Sequence, residues 1–341
     1  MHILTVILAT IVIFAVLVIS HEGGHFAAAK AVGVKVNEFA IGMGPLIFSK
    51  QKGDTRYSLR LLPVGGYVAM EGEDKDSDDP KAYNNKPAWA KALIIAAGPA
   101  MNFILAVIIF AGLITYSGTS IDPVLDKVIE GQPAYVAGIR AGDTVTAVNG
   151  ETFDETIGIV YAISDAGKVS DSVVLTVKDA DTGEVSDKTI VFEQTENGKA
   201  VGIIFGTKHN IFAGFGQAAK LAVDVEVEMI QALWNIFTGG ATAGDVVGPV
   251  GIVSIVDQSA RDGIFNLIYL AALLSLNLGL INMLPFPALD GGRLLFVFIR
   301  KVAGKAISDQ LEGKIHFIGI MILFALMIMI TFKDVNTFIL K

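Results

Sequence analysis

The densest chemistry in the chain is His21-Glu22-Gly23-Gly24-His25. On a helix, residues i and i+4 share a face, so both imidazoles can reach one ion. Glu22, beside the first histidine, is not needed as a ligand. It can take a proton from a water activated there, the division of labour found in metal-assisted hydrolysis. The motif ends a stretch, residues 3 to 20, that holds no charged residue. An ionisable group inside a membrane segment costs roughly 2.5–3.5 kcal/mol on insertion scales, so three within five residues call for a site. A catalytic zinc usually takes three protein ligands and a water. One more ligand has to come from elsewhere, at the same depth.

The elements that must position these residues are written in the composition. The 341 residues are 52% hydrophobic and only 18% charged, where a soluble domain carries about 25% charge. A net charge of −8 lacks the basic footprint of a nucleic-acid binder. The absence of cysteine excludes a disulfide scaffold, Cys-ligated metal sites and a cysteine nucleophile. Uncharged blocks run from 3 to 20, 92 to 116, 263 to 289 and 317 to 332, the last reaching span length with Ile315 and His316. A span needs about 20 apolar residues, so four transmembrane helices are expected. The first is not a cleaved signal peptide, since it has no basic start and no small-residue cleavage site, and it runs straight into His21.

Loop charge sets the expected orientation. Residues 30–91 hold ten Lys/Arg and residues 290–314 hold five, against nine in the much longer stretch 117–262, which also holds 21 of the 34 acids. The dense loops belong in the cytoplasm, with the N-terminus and the long middle segment outside. The first and third spans then run in the same direction and end at the inner leaflet. At the end of the third stands Asn282-Met283-Leu284-Pro285-Phe286-Pro287-Ala288-Leu289-Asp290-Gly291-Gly292. Asp290 is its only acid, and loop charge and ligand depth agree in making it the third ligand.

At this point the chain resembles the site-2 protease family of intramembrane zinc metalloproteases, and more closely the regulator-of-sigma-E protease group. The residues that carry the resemblance are His21 to His25, Asn277 with Asn282 to Gly292, Asn84-Asn85-Lys86-Pro87, and Ala96-Ala97-Gly98-Pro99-Ala100-Met101-Asn102-Phe103. It covers nearly the whole chain. It implies that His21, His25 and Asp290 bind Zn2+, that Glu22 activates water, and that Asn282 and Asn277 handle substrate. Read on their own, the asparagines also fit interhelical glue, and Asn277 stays balanced between the two roles. Pro285 and Pro287 break the span and expose backbone that can hold an extended chain. Gly23 and Gly24 either bring helices close or leave room for a peptide, and Asn102 carries the same ambiguity as the other asparagines. The stretch from Gly42, Gly44 and Pro45 through Lys52-Gly53-Asp54 to Pro63-Val64-Gly65-Gly66-Tyr67 reads as a hairpin. By resemblance it is re-entrant and lies beside the site, where its edge can pair with an unwound substrate.

The middle segment, 121–205, has strand-like runs with Gly131-Gln132-Pro133 and Val148-Asn149-Gly150 turns, and resembles a circularly permuted bacterial PDZ domain. Members of the group from double-membraned bacteria carry two such domains; this chain has room for one, as in the single-PDZ members of Gram-positive bacteria. It either gates access or binds a peptide. Residues 211–238 carry Lys220, Asp224, Glu226 and Glu228 among apolar residues, which suits an interfacial helix better than a fifth span. His2, His209 and His316 have no partner at ligand spacing and read as structural or interfacial.

The fold class expected is therefore a polytopic α-helical membrane protein with four transmembrane helices, a membrane-associated β-hairpin and one extracytoplasmic PDZ-like α/β domain. Its parts are 1–116, two spans with the zinc motif and hairpin; 117–210, the PDZ-like domain; 211–262, an interfacial helix and linker, including a loop at 247–251; and 263–341, two spans with the third ligand. The resemblance implies an endopeptidase of the bacterial cell membrane that cuts single-span proteins in or near the bilayer, of the anti-sigma-factor or signal-peptide-remnant type, with the site toward the cytoplasm. The partners are those substrates, the lipid bilayer and a peptide ligand of the PDZ-like domain, with no nucleic acid. The rival is a non-enzymatic PDZ-bearing receptor, which a missing ligand or base would favour; all four chemical residues are present. A transporter would show repeated halves, which the sequence lacks.

Overall fold

The computed structural model describes residues 2–73, 75–195, 198–240, 247–303 and 309–338. The chain divides into two compact units, Met1–Phe110 with Ala218–Lys341, and Ala111–Gln217. Four helices are long and apolar enough to cross a membrane: Leu4–Ala31, Ala88–Ser117, Ile264–Met283 and Gln310–Thr337.

In the first unit, α1 (His2–Ala31) does not stop at the end of the uncharged block but carries the whole motif as its fifth to seventh turns. The hairpin follows as β1 (Val36–Lys52) and β2 (Thr55–Met70), turning at Gly53 with φ +59°. Both strands fold back on themselves. Phe39 pairs with Val68 on one side and Tyr57 on the other, while Ser49 pairs with Ser58. The register thus arranges four short segments side by side, 46–52, 55–62, 36–41 and 66–70. The bends in β1 are made at Gly42 and Gly44, both at φ +82°, where L side chains are strained. The space a Cβ would need at Gly42 is taken by the Leu62 and Arg60 carbonyls. Glu38 is buried in this sheet and bound by Arg56 and Arg60. Burial alone would raise its carboxyl pKa, but the guanidinium hydrogen bonds outweigh it and bring it down to about 2.

α2 (Ala88–Ser117) is the second span and keeps Pro99 inside it. After the second unit come α5 (Ile211–Phe237), α6 (Pro249–Asp262), α7 (Ile264–Met283), α8 (Asp290–Ala303) and α9 (Asp309–Phe338). Two boundaries differ from the sequence reading. The third span ends at Met283, six residues short of its uncharged block, because Pro285 and Pro287 cannot continue a helix. Of the loop read at 247–251, Val247 and Gly248 are non-helical as expected, whereas Pro249–Gly251 already form the start of α6. Its first amides are satisfied from far along the chain: the buried Asp334 carboxylate of α9 accepts from Gly248 and Gly251 N–H at 3.0 and 2.8 Å. That capping carboxylate is tertiary, so the local sequence announces the helix start only by Pro249 at its first position.

The second unit is built on the sheet order β10-β3-β4-β6-β7, with β5 paired to β4. Its strands are β3 (Ser120–Val128), β4 (Thr144–Val148), β5 (Glu151–Thr152), β6 (Ser172–Lys178), β7 (Val185–Val191) and β10 (Ile203–Lys208). A separate pair joins β8 (Glu193–Thr195) to β9 (Gly198–Ala200). α3 (Pro133–Val136) and α4 (Thr156–Val169) complete it. Its core is Leu125, Ile139, Val145, Leu175, Val177 and Ile190 with Ile159 and Ile163 of α4. Buried Asp143 accepts from Arg140 N–H and Ala180 N–H and so ties two turns together.

Candidate metal centre

α1, α2 and α7 meet where small residues let backbones touch, the way helices associate without a hydrophobic driving force. A Cβ at Gly24 would collide with the Ala97 carbonyl of α2. A Cβ at Gly279 of α7 would lie 3.1 Å from the Pro99 carbonyl. Gly98 leaves the space that the His25 ring fills. Ser20 donates to the Met101 carbonyl at 3.2 Å, and Ser275 to the Asn102 carbonyl at 2.8 Å. Gly23, by contrast, faces open space. Of the two readings of the glycine pair, Gly24 takes the close-packing one and Gly23 is left open.

This framework holds His21 Nε2 3.2 Å from His25 Nε2. Asp290 Oδ2 lies 3.0 Å from the first and 3.4 Å from the second. The three predicted ligands therefore converge on one point, and among the described residues they are the group able to hold a metal ion. A tetrahedral ion with bonds of about 2.0–2.1 Å sets neighbouring donors roughly 3.3–3.4 Å apart, close to this triangle. Asp290 Oδ2 is buried and makes no hydrogen bond. His25 Nδ1 lies 2.8 Å from the Ile94 carbonyl. A carbonyl only accepts, so Nδ1 carries the proton and Nε2 turns its lone pair to the centre. The donor set fits zinc.

Asp290 reaches the centre because the chain doubles back. The stretch 284–289 is non-helical, and Asp290 opens α8 rather than closing α7. Gly291 and Gly292 lie flush against the carbonyls of Met283, Leu284 and Phe286, where no Cβ fits. Ala288 sits at φ +81°, an uncommon region for alanine. It is held there by His316 of α9, whose Nδ1 accepts the Ala288 N–H at 2.8 Å. His316 is thus structural, as its lack of ligand spacing implied. His209 Nδ1 likewise meets the Thr115 carbonyl at 2.6 Å, and the side chain of His2 lies outside the described residues.

Glu22 has no hydrogen-bond or ion-pair partner among the described residues. Its methylenes lie against Gly66 of the hairpin, where an added Cβ would stand 3.2 Å from Glu22 Cγ. The edge segment 66–70 therefore runs beside the centre. Asn282 is half-buried and Asn277 exposed, and neither makes a hydrogen bond among the described residues. Pro285 is exposed and Pro287 half-buried. Gly42 and Gly44 are at the hairpin bends, against Leu62 and Arg60. Sequence reasoning named Gly66 only as part of the hairpin, and did not pick out Gly279, Ser275 or Arg293. The last, one turn after Asp290, pairs with Glu73 at 2.8 Å and ties α8 to the end of the hairpin. A glycine or serine in an apolar run gives no signal without knowledge of what crosses it.

The family model described as "Peptidase family M50" matches residues 9–326. The regulator of sigma-W protease RasP of Bacillus subtilis is 32% identical over 97% of this chain and 98% of its own length. The zinc metalloprotease RasP of Bacillus licheniformis is 31% identical, with the same coverage. A Clostridium acetobutylicum relative, carried under a zinc-metalloprotease name, is 37% identical over 96% of this chain and 97% of its own. Among solved structures, the PDZ domain of an SdrC-like protein from Listeria innocua matches 26% of this chain and 99% of its own. The identity there is 22% and the TM-score 0.23, too low to establish a shared fold.

Proposed function

This chain belongs to peptidase family M50, the intramembrane zinc metalloproteases, and from that membership we propose that His21, His25 and Asp290 hold its zinc and that Glu22 is the catalytic base. The observation that supports this is the 3.0–3.4 Å triangle of donor atoms with an unpartnered carboxylate next to it. Zinc, when bound, acidifies a water and polarises the scissile carbonyl. Glu22 takes the proton of the attacking water and returns it to the leaving amine. The Ile94 carbonyl keeps His25 in the tautomer that can ligate.

A transmembrane helix hides its own amides, so the substrate must be extended at the site. The edge 66–70, which follows the bend of β2 at Gly65, offers backbone groups to such a chain. Asn282 and Asn277 supply free amides, and Pro285 and Pro287 keep 284–289 from closing its carbonyls into a helix. The substrates are single-span membrane proteins, already trimmed outside. RasP of Bacillus subtilis is named as regulator of a sigma factor, and by likeness an anti-sigma factor or a signal-peptide remnant is the type cut here. Residues 1–116 and 263–341 form the catalytic part, with the site toward the cytoplasmic side of a bacterial membrane. Residues 117–210 form an outer PDZ-like domain that screens or captures substrate, and 211–262 form an interfacial helix and linker.

The test is cleavage of a single-span substrate by purified protein in detergent, wild type beside Glu22→Gln. Removal of a general base should cost about 10²–10⁴-fold in rate with zinc content unchanged. Equal cleavage by both, or wild-type protein without stoichiometric zinc, overturns the assignment.

A further inference from the structure

We propose that Asn102 of α2 is a positioning residue for the metal: its side-chain carbonyl accepts the Nδ1–H of His21 and so fixes the ligating tautomer of that ring. Asn102 is completely buried where α1, α2 and α7 meet, and the Nδ2 end of its amide lies 3.3 Å from His21 Nδ1, so the proposed bond takes the amide in its other orientation. Among the described residues, this is the hydrogen bond made by that nitrogen. The other nitrogen, Nε2, faces His25 and Asp290.

The chemistry then leaves one arrangement for a ligating ring. A neutral imidazole with a lone pair on Nε2 carries its proton on Nδ1. That proton needs an acceptor, and in an apolar helix junction an unmet N–H is costly. His25 solves the problem with the Ile94 carbonyl. Among the described residues, His21 Nδ1 meets the Asn102 amide alone. The two ends of an asparagine amide have the same shape, and the hydrogen-bond network decides which is which. With Nδ2 toward the ring, Asn102 Oδ1 is a buried acceptor without a partner. That orientation suits a ring whose proton sits on Nε2, pointing at Asp290. With Oδ1 toward the ring, the lone pair is released to the centre. Asparagine serves both states; a leucine serves neither.

Asn102 is itself held fast. Ser275 donates to its main-chain carbonyl, and Gly279 admits α7 to within contact of its Cβ. Its amide therefore approaches His21 from a fixed place, as outer-sphere partners of metal-bound histidines do.

The inference rests on the zinc reading above, and zinc affinity separates the two. Purified wild type, Asn102→Leu, Asn102→Asp and Ser275→Ala would be titrated against a zinc chelator in detergent, with thermal unfolding of the metal-free proteins as the folding control. Asn102→Leu should bind zinc about 10–100-fold more weakly. Asn102→Asp, which keeps an acceptor and has no donor, should stay within a few-fold of wild type or bind more tightly. Ser275→Ala loosens the support of Asn102 while the acceptor itself remains, and should weaken zinc binding by clearly less than Asn102→Leu. Should Asn102→Asp not fold, Asn102→Thr, close in volume and able to accept through its hydroxyl, takes its place. Wild-type affinity in folded Asn102→Leu overturns the proposal, as does a loss in Ser275→Ala equal to that in Asn102→Leu. Wild type that binds no zinc removes the metal reading itself.

Discussion

One added methyl group should disable the centre. At Gly98, a Cβ would stand 2.5 Å from His25 Cε1 and 2.9 Å from Cδ2, and nearer still to Nε2. Ordinary van der Waals contact begins at 3.4 Å, so Gly98→Ala is short of space by about 1 Å along a whole ring edge. The ring has little freedom to yield. Its Nδ1 is tied to the Ile94 carbonyl, and its other side meets the His21 ring edge-on at a centroid distance of 4.8 Å. Either His25 moves or α1 and α2 part, and both spoil a donor triangle whose sides are 3.0–3.4 Å. A misplacement of about 1 Å costs on the order of 10²-fold in rate, or about 3 kcal/mol of transition-state stabilisation. Helix propensity works the other way, since alanine is favoured over glycine by about 1 kcal/mol inside a helix. A loss would therefore report the clash and not a weakened α2. Gly112→Ala, on the same helix with nothing within 4 Å of the added atom, is the matched control. The assay is zinc stoichiometry after chelator challenge together with cleavage of a single-span substrate. Gly98→Ala with wild-type zinc and wild-type rate would refute the close fit of His25 against α2.

Ala288 tests the strained approach to Asp290: Ala288→Val, a β-branched residue at φ +81°, should cost about 2 kcal/mol or more in stability and loosen zinc, while Ala288→Gly should be nearly neutral, strain relief being offset by greater unfolded-state freedom. Thermal unfolding with and without zinc checks both, and a harmless Ala288→Val refutes the point. Glu38 makes the hairpin acid-sensitive. Its carboxyl ordinarily titrates near 4.5 and is held at about 2 here, so the stabilisation is complete above pH about 4.5 and disappears as pH falls through about 2. It amounts to at most about 3 kcal/mol. Hydrogen exchange of residues 36–41 and 55–62, corrected for intrinsic rates, should lose protection over that range in wild type, whereas Glu38→Gln should be poorly protected at every pH.

The parts of the fold written in composition were readable in advance. Uncharged blocks locate the four crossing helices because the bilayer admits little else, and Gly53 between two extended runs locates the hairpin. What periodicity cannot show is where one element completes another. α6 looked like a linker because its capping carboxylate, Asp334, lies more than eighty residues away on α9. The third span looked longer than α7 because hydropathy does not distinguish an apolar helix from the apolar turn 284–289 that follows Met283. The double folding of the hairpin strands goes with Gly42 and Gly44 in β1 and Gly65 in β2, whose positive φ values are invisible in a residue type that tolerates every conformation.

The same limit applies at the centre. His21, Glu22, His25 and Asp290 declare themselves, because charge in an apolar segment demands a reason. The residues that make them a site are mostly small and uncharged: Gly24 and Gly98 set the distance between α1 and α2, Gly279 and Ser275 bring in α7, and Gly291 and Gly292 turn Asp290 inward. Each works by what it leaves out or by one hydrogen bond to backbone, so each is mute until its neighbour is known. Asn102 lies between these classes. Its polarity marks it as purposeful in a span, yet only the 3.3 Å approach to His21 Nδ1 says which purpose. Which side chains can donate at this centre is thus a matter of residue type, whereas the geometry of the donors depends on how closely three apolar helices are allowed to approach.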